Sequence, residues 1–320
     1  MIQQTARALL HKECPLDLIR AAWDTPAAAI PLWRDHLCDW LDLATQPLAD
    51  ISLFMEEYGR ALVPGVYFAS LLAAYAAGTV DEQLWGSATV AVAAADGYWI
   101  PNEESNKHFV PSAAQVQQVV VVSGALQAPR ISIVPVEELT LTAVEHMDRL
   151  RPQYRVSLQG REQGREISPQ AWQQVVYRAL VTSSAELIGV ARALLDSAVE
   201  YAKQRQQFGR PIGAFQGLQW KLVDAALQLE RAAAAVSWAA MCVDASATET
   251  ACAVHSAKLE AGRAARHCAR TSLQVHGGIG YTWEQGLHFW LRRAYAGDAF
   301  MGPSEYHTRC LVGLLFPGTQ

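Results

Sequence analysis

Two short stretches of this chain carry groups of the kind that hold a ligand. RQQFGRPIGAFQGLQ, Arg205 to Gln219, puts a permanent cation and an aromatic, Phe208, at a corner that closes on glycine and proline. QVHGGIGYTWE, Gln274 to Glu284, is rich in glycine. Gly277 and Gly278 remove side chains where backbone must come close to a ligand or a partner surface, and Gln274, one turn earlier, offers an amide to the same spot. Both stretches also have plain structural uses. An arginine in a last helical turn faces the negative end of the helix dipole, glycine is the usual residue just beyond, and His-Gly-Gly also makes an ordinary tight turn. The glycine stretch is not a P-loop, because no Gly-Lys-Ser/Thr follows. Nor is it a dinucleotide fingerprint, because it follows a helix rather than a strand.

The elements that must position these groups are legible in outline. With 320 residues and 51% hydrophobic content, the chain can bury a substantial core and hold two or three subdomains. Residues 1–84 read as a trimmed N-terminal helical domain. PLADISLFMEEYGRALVPGVYFASLLAAYAAG spaces its apolar groups at three- and four-residue steps, with a break at Pro64-Gly65. From Trp85 the texture changes. SATVAVAAADGYWIP, QVVVVSG, PRISIVPV and YRVSLQG are short, β-branched or aromatic, and divided by Gly, Pro and Asn. They predict a reduced middle domain over residues 85–166, a small antiparallel sheet or barrel. Ser168 as N-cap and Pro169 at the first helical position open the third region, 167–320. A helix of about nine turns follows. Further helices are expected over Ala214–Asp244 and Thr248–Val275, and a final one over much of Gly286–Leu315. The fold class is mainly α with a β insert: an N-terminal helical domain, a small middle β-barrel or sheet, and a C-terminal antiparallel four-helix bundle.

Composition excludes several functions. A net charge of −5 and a pI near 6.0 argue against a polyanion-binding surface, so no nucleic acid is expected. No apolar run is long enough to cross a bilayer, and the first residues lack the layout of a secretory signal. Six scattered cysteines without a CxxC pair read as reduced cytoplasmic thiols, and nine histidines without an HxxxH arrangement give no metal site.

Taken together, in order and at this spacing, YAKQRQQFGRPIGAFQGLQWKLVDA and LQVHGGIGYTWEQGLHFWLRRA resemble the C-terminal bundle of the acyl-CoA dehydrogenase family. The likeness is strong over roughly 168–320 and extends more weakly through MEEYGRALVPGVYFAS. It implies FAD at a subunit interface, with the RxxFG arginine and the QxxGG loop reaching across to the flavin of the neighbouring subunit. By this resemblance Arg205 contacts the pyrophosphate with Gln207 and Phe208 beside it, while Gln274, Gly277 and Gly278 hold the adenosine end. The chemistry is compatible, since a guanidinium forks onto phosphate oxygens and bare glycine backbone permits close approach.

The chain also departs from the family. There a glutamate removes the α-proton of an acyl thioester while flavin N5 takes the β-hydride, and such a base needs a dry pocket within reach of that proton. The commonest base position falls here on Met301 and the alternative on Ala179, neither of which takes a proton. Asp298 and Glu305, close by in sequence, are candidates for a relocated base, with Asp298 almost one helical turn before Met301; a solvated charge near a helix end is their plainer reading. Glu186 reads as a packing or ion-pair residue, and Glu284 as a charge at the amino end of the next helix. The Thr-Glu-Pro and Gly-Ser-Asp segments that cradle the flavin ring in the family have no counterpart between Trp85 and Ile167. The helical start is also shortened around CDWLDLATQPLADIS.

Half a flavin site without a base implies the accessory subunit of a heteromeric acyl-CoA dehydrogenase, paired with a partner subunit in a heterotetramer. Acyl-CoA would be the substrate of the complex, an electron-transfer flavoprotein the acceptor, and a bulky thioester such as a steroid side chain the substrate type. Two other readings stay open: a self-sufficient homomeric enzyme with a relocated base, and a flavin-free scaffold on the same fold. Tyr281, Trp283, Phe289 and Trp290 follow the glycine loop, where such rings can stack on adenine, but at helical spacing they read rather as bundle core or interface. Trp220 and Trp238 share one face of a single helix and read as oligomer packing.

Overall fold

The computed structural model describes residues 2–80, 84, 86–158 and 164–316. Trp85, where strand texture was expected to begin, and the Gln159-Gly160 end of YRVSLQG lie outside the described residues. Helices α1 (Ile2–Glu13) and α2 (Leu16–Asp24) come first, then irregular turns around the single-turn α3 (Ile30–Leu32), then α4 (Leu48–Arg60) and α5 (Tyr67–Ala77). Strands follow: β1 (Ala88–Ala91), β2 (Asn106–Pro111), β3 (Gln118–Ala125), β4 (Ala128–Pro135), β5 (Thr140–Val144), β6 (Gln153–Ser157) and β7 (Arg165–Glu166). The remainder is the long α6 (Pro169–Gln204), the two-residue strands β8 (Gln206–Gln207) and β9 (Arg210–Pro211), α7 (Gln216–Asp244), α8 (Thr250–His276), α9 (Leu287–Ala299) and α10 (Ser304–Leu315). The architecture is mainly helical with a β insert, as the sequence predicts. All six cysteines are unpaired.

The chain groups into two compact units. One comprises Pro15–Gln46 and Pro64–Ala179 and contains both larger sheets. The first sheet has the order β1-β3-β4-β7 and the second the order β2-β6-β5. Their apolar faces meet in a core that includes Val110, Val119, Val121, Val156 and Leu158. The expectation of a purely antiparallel sheet needs correction: β1 pairs with β3 in parallel, Ala88 opposite Gln118. The reason is that β2, which intervenes in sequence, joins the other sheet, so the chain re-enters the first sheet running the same way. At the edge of β1, Ser70 of α5 stands in for a further strand; its hydroxyl accepts from the Ala88 amide and donates to the Ala88 carbonyl, both at 3.0 Å. Ser168 caps α6 as predicted, its Oγ accepting from the Ala171 amide at 3.1 Å.

The other unit comprises Met1–Cys14, Pro47–Val63 and Leu180–Gln320. In it α4 crosses α6 with no side chain between the backbones. A Cβ on Gly59 would overlap the Glu186 carbonyl, and one on Gly189 would overlap the Glu56 carbonyl and the Arg60 amide nitrogen. Each glycine thus makes room for the other helix's backbone. Gly189→Ala is expected to cost about 3 kcal/mol or more, because backbone cannot step aside as a flexible side chain does. Gly217→Ala in α7, where an added Cβ meets nothing within 4 Å, is the control, with an expected gain of about 0.5 kcal/mol in a denaturant titration.

The single final helix expected over Gly286–Leu315 is two helices. α9 stops at Ala299, and Met301 (φ 62°) and Gly302 (φ 108°) both take left-handed backbone before α10 begins at Ser304. Pro303 excludes helical backbone from the residue before it, and a Cβ on Gly302 would strike the Tyr306 ring. The corner is therefore built into the Gly302-Pro303 dipeptide.

Candidate functional site

The two sequence stretches become two adjoining helix ends in the bundle unit. At the end of α6 the Arg205 amide donates to the Tyr201 carbonyl at 2.8 Å, and the chain then turns back on itself as the hairpin β8–β9, Gln207 opposite Arg210. The hairpin is closed by the Ile212 amide donating to the Arg205 carbonyl at 2.8 Å. Its two tip residues, Phe208 (φ 53°) and Gly209 (φ 77°), are both left-handed, as a two-residue hairpin loop requires. Glycine adopts that backbone freely, whereas a phenylalanine held there costs about 1–3 kcal/mol. The outcome is a ring that is 89% exposed. Arg210 lies over the Phe215 ring at 4.1 Å, and Phe208 meets the same ring edge-on at 6.2 Å. Gln207 is exposed, and among the described residues its side-chain amide donates only to the Gln206 carbonyl, at 2.8 Å. Arg205 is exposed, and among the described residues its side chain has no hydrogen bond or ion pair.

The second stretch ends α8. Gln274, Gly277 and Gly278 are all exposed. The glycines serve different ends. Gly280 is a packing glycine, since a Cβ would crowd His276, Leu273 and Leu287. Gly277 (φ 60°, ψ −138°) is conformational, a backbone open only to glycine. Gly278 is neither: its φ is not positive and an added Cβ meets nothing within 4 Å. No packing inside the described chain explains that bare backbone. The two ends pack together over Ala198, Ala202 and Val275, with Tyr201 and Ile212 against them.

An outward cation, an exposed aromatic and open glycine backbone suit the diphosphate and adenosine of a dinucleotide, so this half of an FAD site fits the residues present. The ring-binding half does not. Between β1 and Ser105 the chain offers no serine or threonine, and the segment leaving β1 reads Val92-Ala93-Ala94-Ala95-Asp96-Gly97.

The base positions are equally clear. Met301 is buried, 4% exposed, in the left-handed corner between α9 and α10, and Ala179 is fully buried in α6. Asp298 is not one turn before Met301 on a continuous helix, because α9 ends between them. Its carboxylate is held by Arg266 at 3.1 Å and accepts the Ser304 hydroxyl at 3.0 Å, which makes it a structural ion-pair residue. Glu305 is exposed in the first turn of α10. Glu186 pairs with Arg293 at 2.7 Å deep in the bundle, and Glu284 is exposed just ahead of α9. Of the aromatics after the glycine turn, Phe289 is core, and Trp290 donates its indole N–H to the Arg60 carbonyl at 3.1 Å. Tyr281 and Trp283 face solvent.

Sequence reasoning missed a buried polar group behind the Met301 corner. His255 of α8 and His307 of α10 share a hydrogen bond, Nδ1 to Nδ1, at 2.9 Å. Lys258, fully buried one turn further along α8, donates its ammonium to the carbonyls of Gly297 at 2.6 Å and Asp298 at 3.2 Å, capping α9. Burial pushes the imidazoles down to about 4 for His255 and about 3 for His307, the latter helped by the Lys258 charge. Burial likewise lowers Lys258 to about 8, against the pull of Asp298 and Glu186. Nothing local in sequence marks this group, because its members are paired across 39 to 52 residues.

Residues 175–312 match the acyl-CoA dehydrogenase C-terminal domain. Along nearly its whole length the chain is similar to the acyl-CoA dehydrogenase IpdE2 of Mycolicibacterium smegmatis, with 27% identity over 99% of this chain and 98% of that protein. Two solved structures share the fold. The ChsE4-ChsE5 complex from Mycobacterium tuberculosis superposes with a TM-score of 0.86 at 19% identity, covering 100% of this chain and 97% of that one. The Tcur3481-Tcur3483 steroid ACAD superposes with a TM-score of 0.85 at 22% identity, covering 99% and 97%. No helix among the described residues is long and apolar enough to cross a membrane.

Proposed function

We propose, from the premise that this chain belongs to the acyl-CoA dehydrogenase family, that it is the base-lacking subunit of a heteromeric acyl-CoA dehydrogenase. The observation that carries the proposal is Met301. A buried thioether sits where the family's carboxylate base is expected, and Asp298 and Glu186 are committed to arginines. In this reading the partner subunit provides the base, the flavin-ring pocket and the acyl-CoA cleft. FAD, when bound, supplies the acceptor for the β-hydride. This chain's own part is to bind and orient: Arg205 neutralises the pyrophosphate, Gln207 and Phe208 flank it, and Gln274, Gly277 and Gly278 receive the adenosine. The steroid ACAD and the two-protein complex among the structural relatives favour a heterotetramer acting on a bulky, steroid-type acyl-CoA in lipid breakdown. An electron-transfer flavoprotein as acceptor follows from the family chemistry, and the cytoplasm is the compartment proposed.

The surface of α7 supports assembly. Trp220 (74% exposed), Val223, Leu227, Trp238 (42% exposed) and Met241 lie at helical spacing on one open face. Trp238→Glu is expected to shift the complex toward smaller species in size-exclusion chromatography.

The experiment that tests the function is expression of the chain alone and together with a full-length acyl-CoA dehydrogenase encoded beside it. Flavin absorbance and acyl-CoA dehydrogenation are expected only from the pair. Arg205→Ala in that pair is expected to weaken FAD retention about tenfold to a hundredfold without lowering the melting temperature of the isolated chain. Stoichiometric flavin and turnover from the single chain would make it a self-sufficient enzyme. Unchanged FAD retention in the Arg205→Ala pair would make it a scaffold.

A further inference from the structure

We infer that Ser197, Tyr201 and His276 form a clamp that fixes the Arg205 hairpin and the glycine turn as one rigid surface, which makes all three positioning residues for the cofactor half-site. The inference rests on the reading of that surface as a dinucleotide site.

The geometry is specific. Ser197, Tyr201 and Arg205 follow one another at four-residue steps, so they lie along one face of α6 and just past its end. The imidazole of His276, the last residue of α8, stacks on the Tyr201 ring at 4.6 Å and 23°. Its Nδ1 is 2.8 Å from the Ser272 carbonyl, one turn back in its own helix, and therefore carries the proton. Its Nε2 is then the acceptor, and the Ser197 hydroxyl donates to it at 3.3 Å. One side chain thus binds both helices, and each of its contacts sits next to a recognition element. Tyr201 receives the Arg205 amide through its carbonyl, while His276 is bonded directly to Gly277, whose own amide donates to the Leu273 carbonyl. Beneath the clamp, Ala198 and Ala202 are small enough to let Val275 close in. A residue whose only task was to fill this space would need neither the two hydrogen bonds nor the parallel stack. A half-site for a long, two-ended ligand needs its two grips held at constant separation, since a misplacement of about 1 Å already costs affinity.

The test uses the full-length chain with amide hydrogen exchange, and ADP as the probe for the adenosine-diphosphate end. His276→Leu on α8 is expected to speed exchange at the Arg205 and Ile212 amides about tenfold, and Tyr201→Leu on α6 to do the same at Gly277. Tyr201→Phe, which keeps the stack, is expected to restore parent-like exchange, and Ser197→Ala to give a smaller effect of the same pattern. ADP is expected to shift resonances at both Arg205 and Gly278 in the parent, and to lose the shift on the far side in Tyr201→Leu and His276→Leu. Faster exchange confined to the helix that carries the substitution, in variants that melt with the parent, would overturn the clamp. ADP moving neither motif in the parent chain would instead overturn the site reading, whatever the exchange pattern shows.

Discussion

Glu186→Ala is expected to destabilise the bundle by about 3–5 kcal/mol. The Glu186 carboxylate and the Arg293 guanidinium meet at 2.7 Å with side chains 2% and 1% exposed. Water does not reach either group, so removing one leaves the other charged in a medium that cannot solvate it. Glu186→Gln keeps the volume and a hydrogen bond but removes the negative charge held 2.7 Å from the guanidinium, and is expected to recover only part of the loss. The double variant Glu186→Leu, Arg293→Met is the informative control, because it replaces the pair with apolar volume and is expected to come close to the parent. A urea titration followed by helical circular dichroism reads all three. If Glu186→Ala cost no more than about 1 kcal/mol, the pair would have the energetics of a solvated surface bridge. The Glu186 charge also raises the Lys258 pKa, so its removal is expected to push that ammonium further below about 8.

Acid is expected to unfold the bundle through His255 and His307. Both imidazoles have folded pKa values below their ordinary 6.5, about 4 and about 3, while the unfolded chain protonates them near 6.5. Below pH 6.5 the unfolded state therefore binds more protons, and stability falls as pH falls toward 4. Two groups responding together would remove on the order of 5 kcal/mol by pH 4.5, shared between them because they titrate as a hydrogen-bonded pair. Burial alone lowers His255, while for His307 the Lys258 charge adds to burial, and the Asp298 carboxylate is already taken by Arg266 and Ser304. Lys258 contributes with the same sign at the other end of the scale. Its depressed pKa means stability rises with pH between about 8 and 10.5. His307→Gln retains a hydrogen-bonding group without the titration and is expected to flatten the acid limb. An acid midpoint unchanged by that substitution would show that carboxylates elsewhere govern the transition.

What sequence could and could not reveal follows from the range of each interaction. The cap at Ser168-Pro169, the strands β1, β3, β4 and β6, and the helices around RQQFG are local, set by propensity and periodicity within a few residues, and they were readable. β2 was not, since its pairing with β6 depends on partners elsewhere in the chain, whereas β5 carries a legible alternation, Leu139-Thr140-Leu141-Thr142, that the strand reading passed over. The break between α9 and α10 was in plain view as Gly302-Pro303, but the long apolar periodicity on either side masked it. At the site, the outward placement of Arg205 and the open space at Gly278 depend on what does not pack against them, a property sequence never states. Glu186 was recognisable as an ion-pair residue, yet Arg293 lies 107 positions away, and only the folded bundle brings them together.

The tip of the β8–β9 hairpin has a consequence for the chain on its own. A phenylalanine ring 89% exposed on a hairpin tip, with Trp220 also open to water, is the kind of feature that quality-control machinery recognises. Synthesis out of step with a partner would leave such a chain prone to capture by chaperones, to precipitation or to proteolysis. On the proposed two-subunit reading, balanced production of the two polypeptides would then be set by the shape of a single turn.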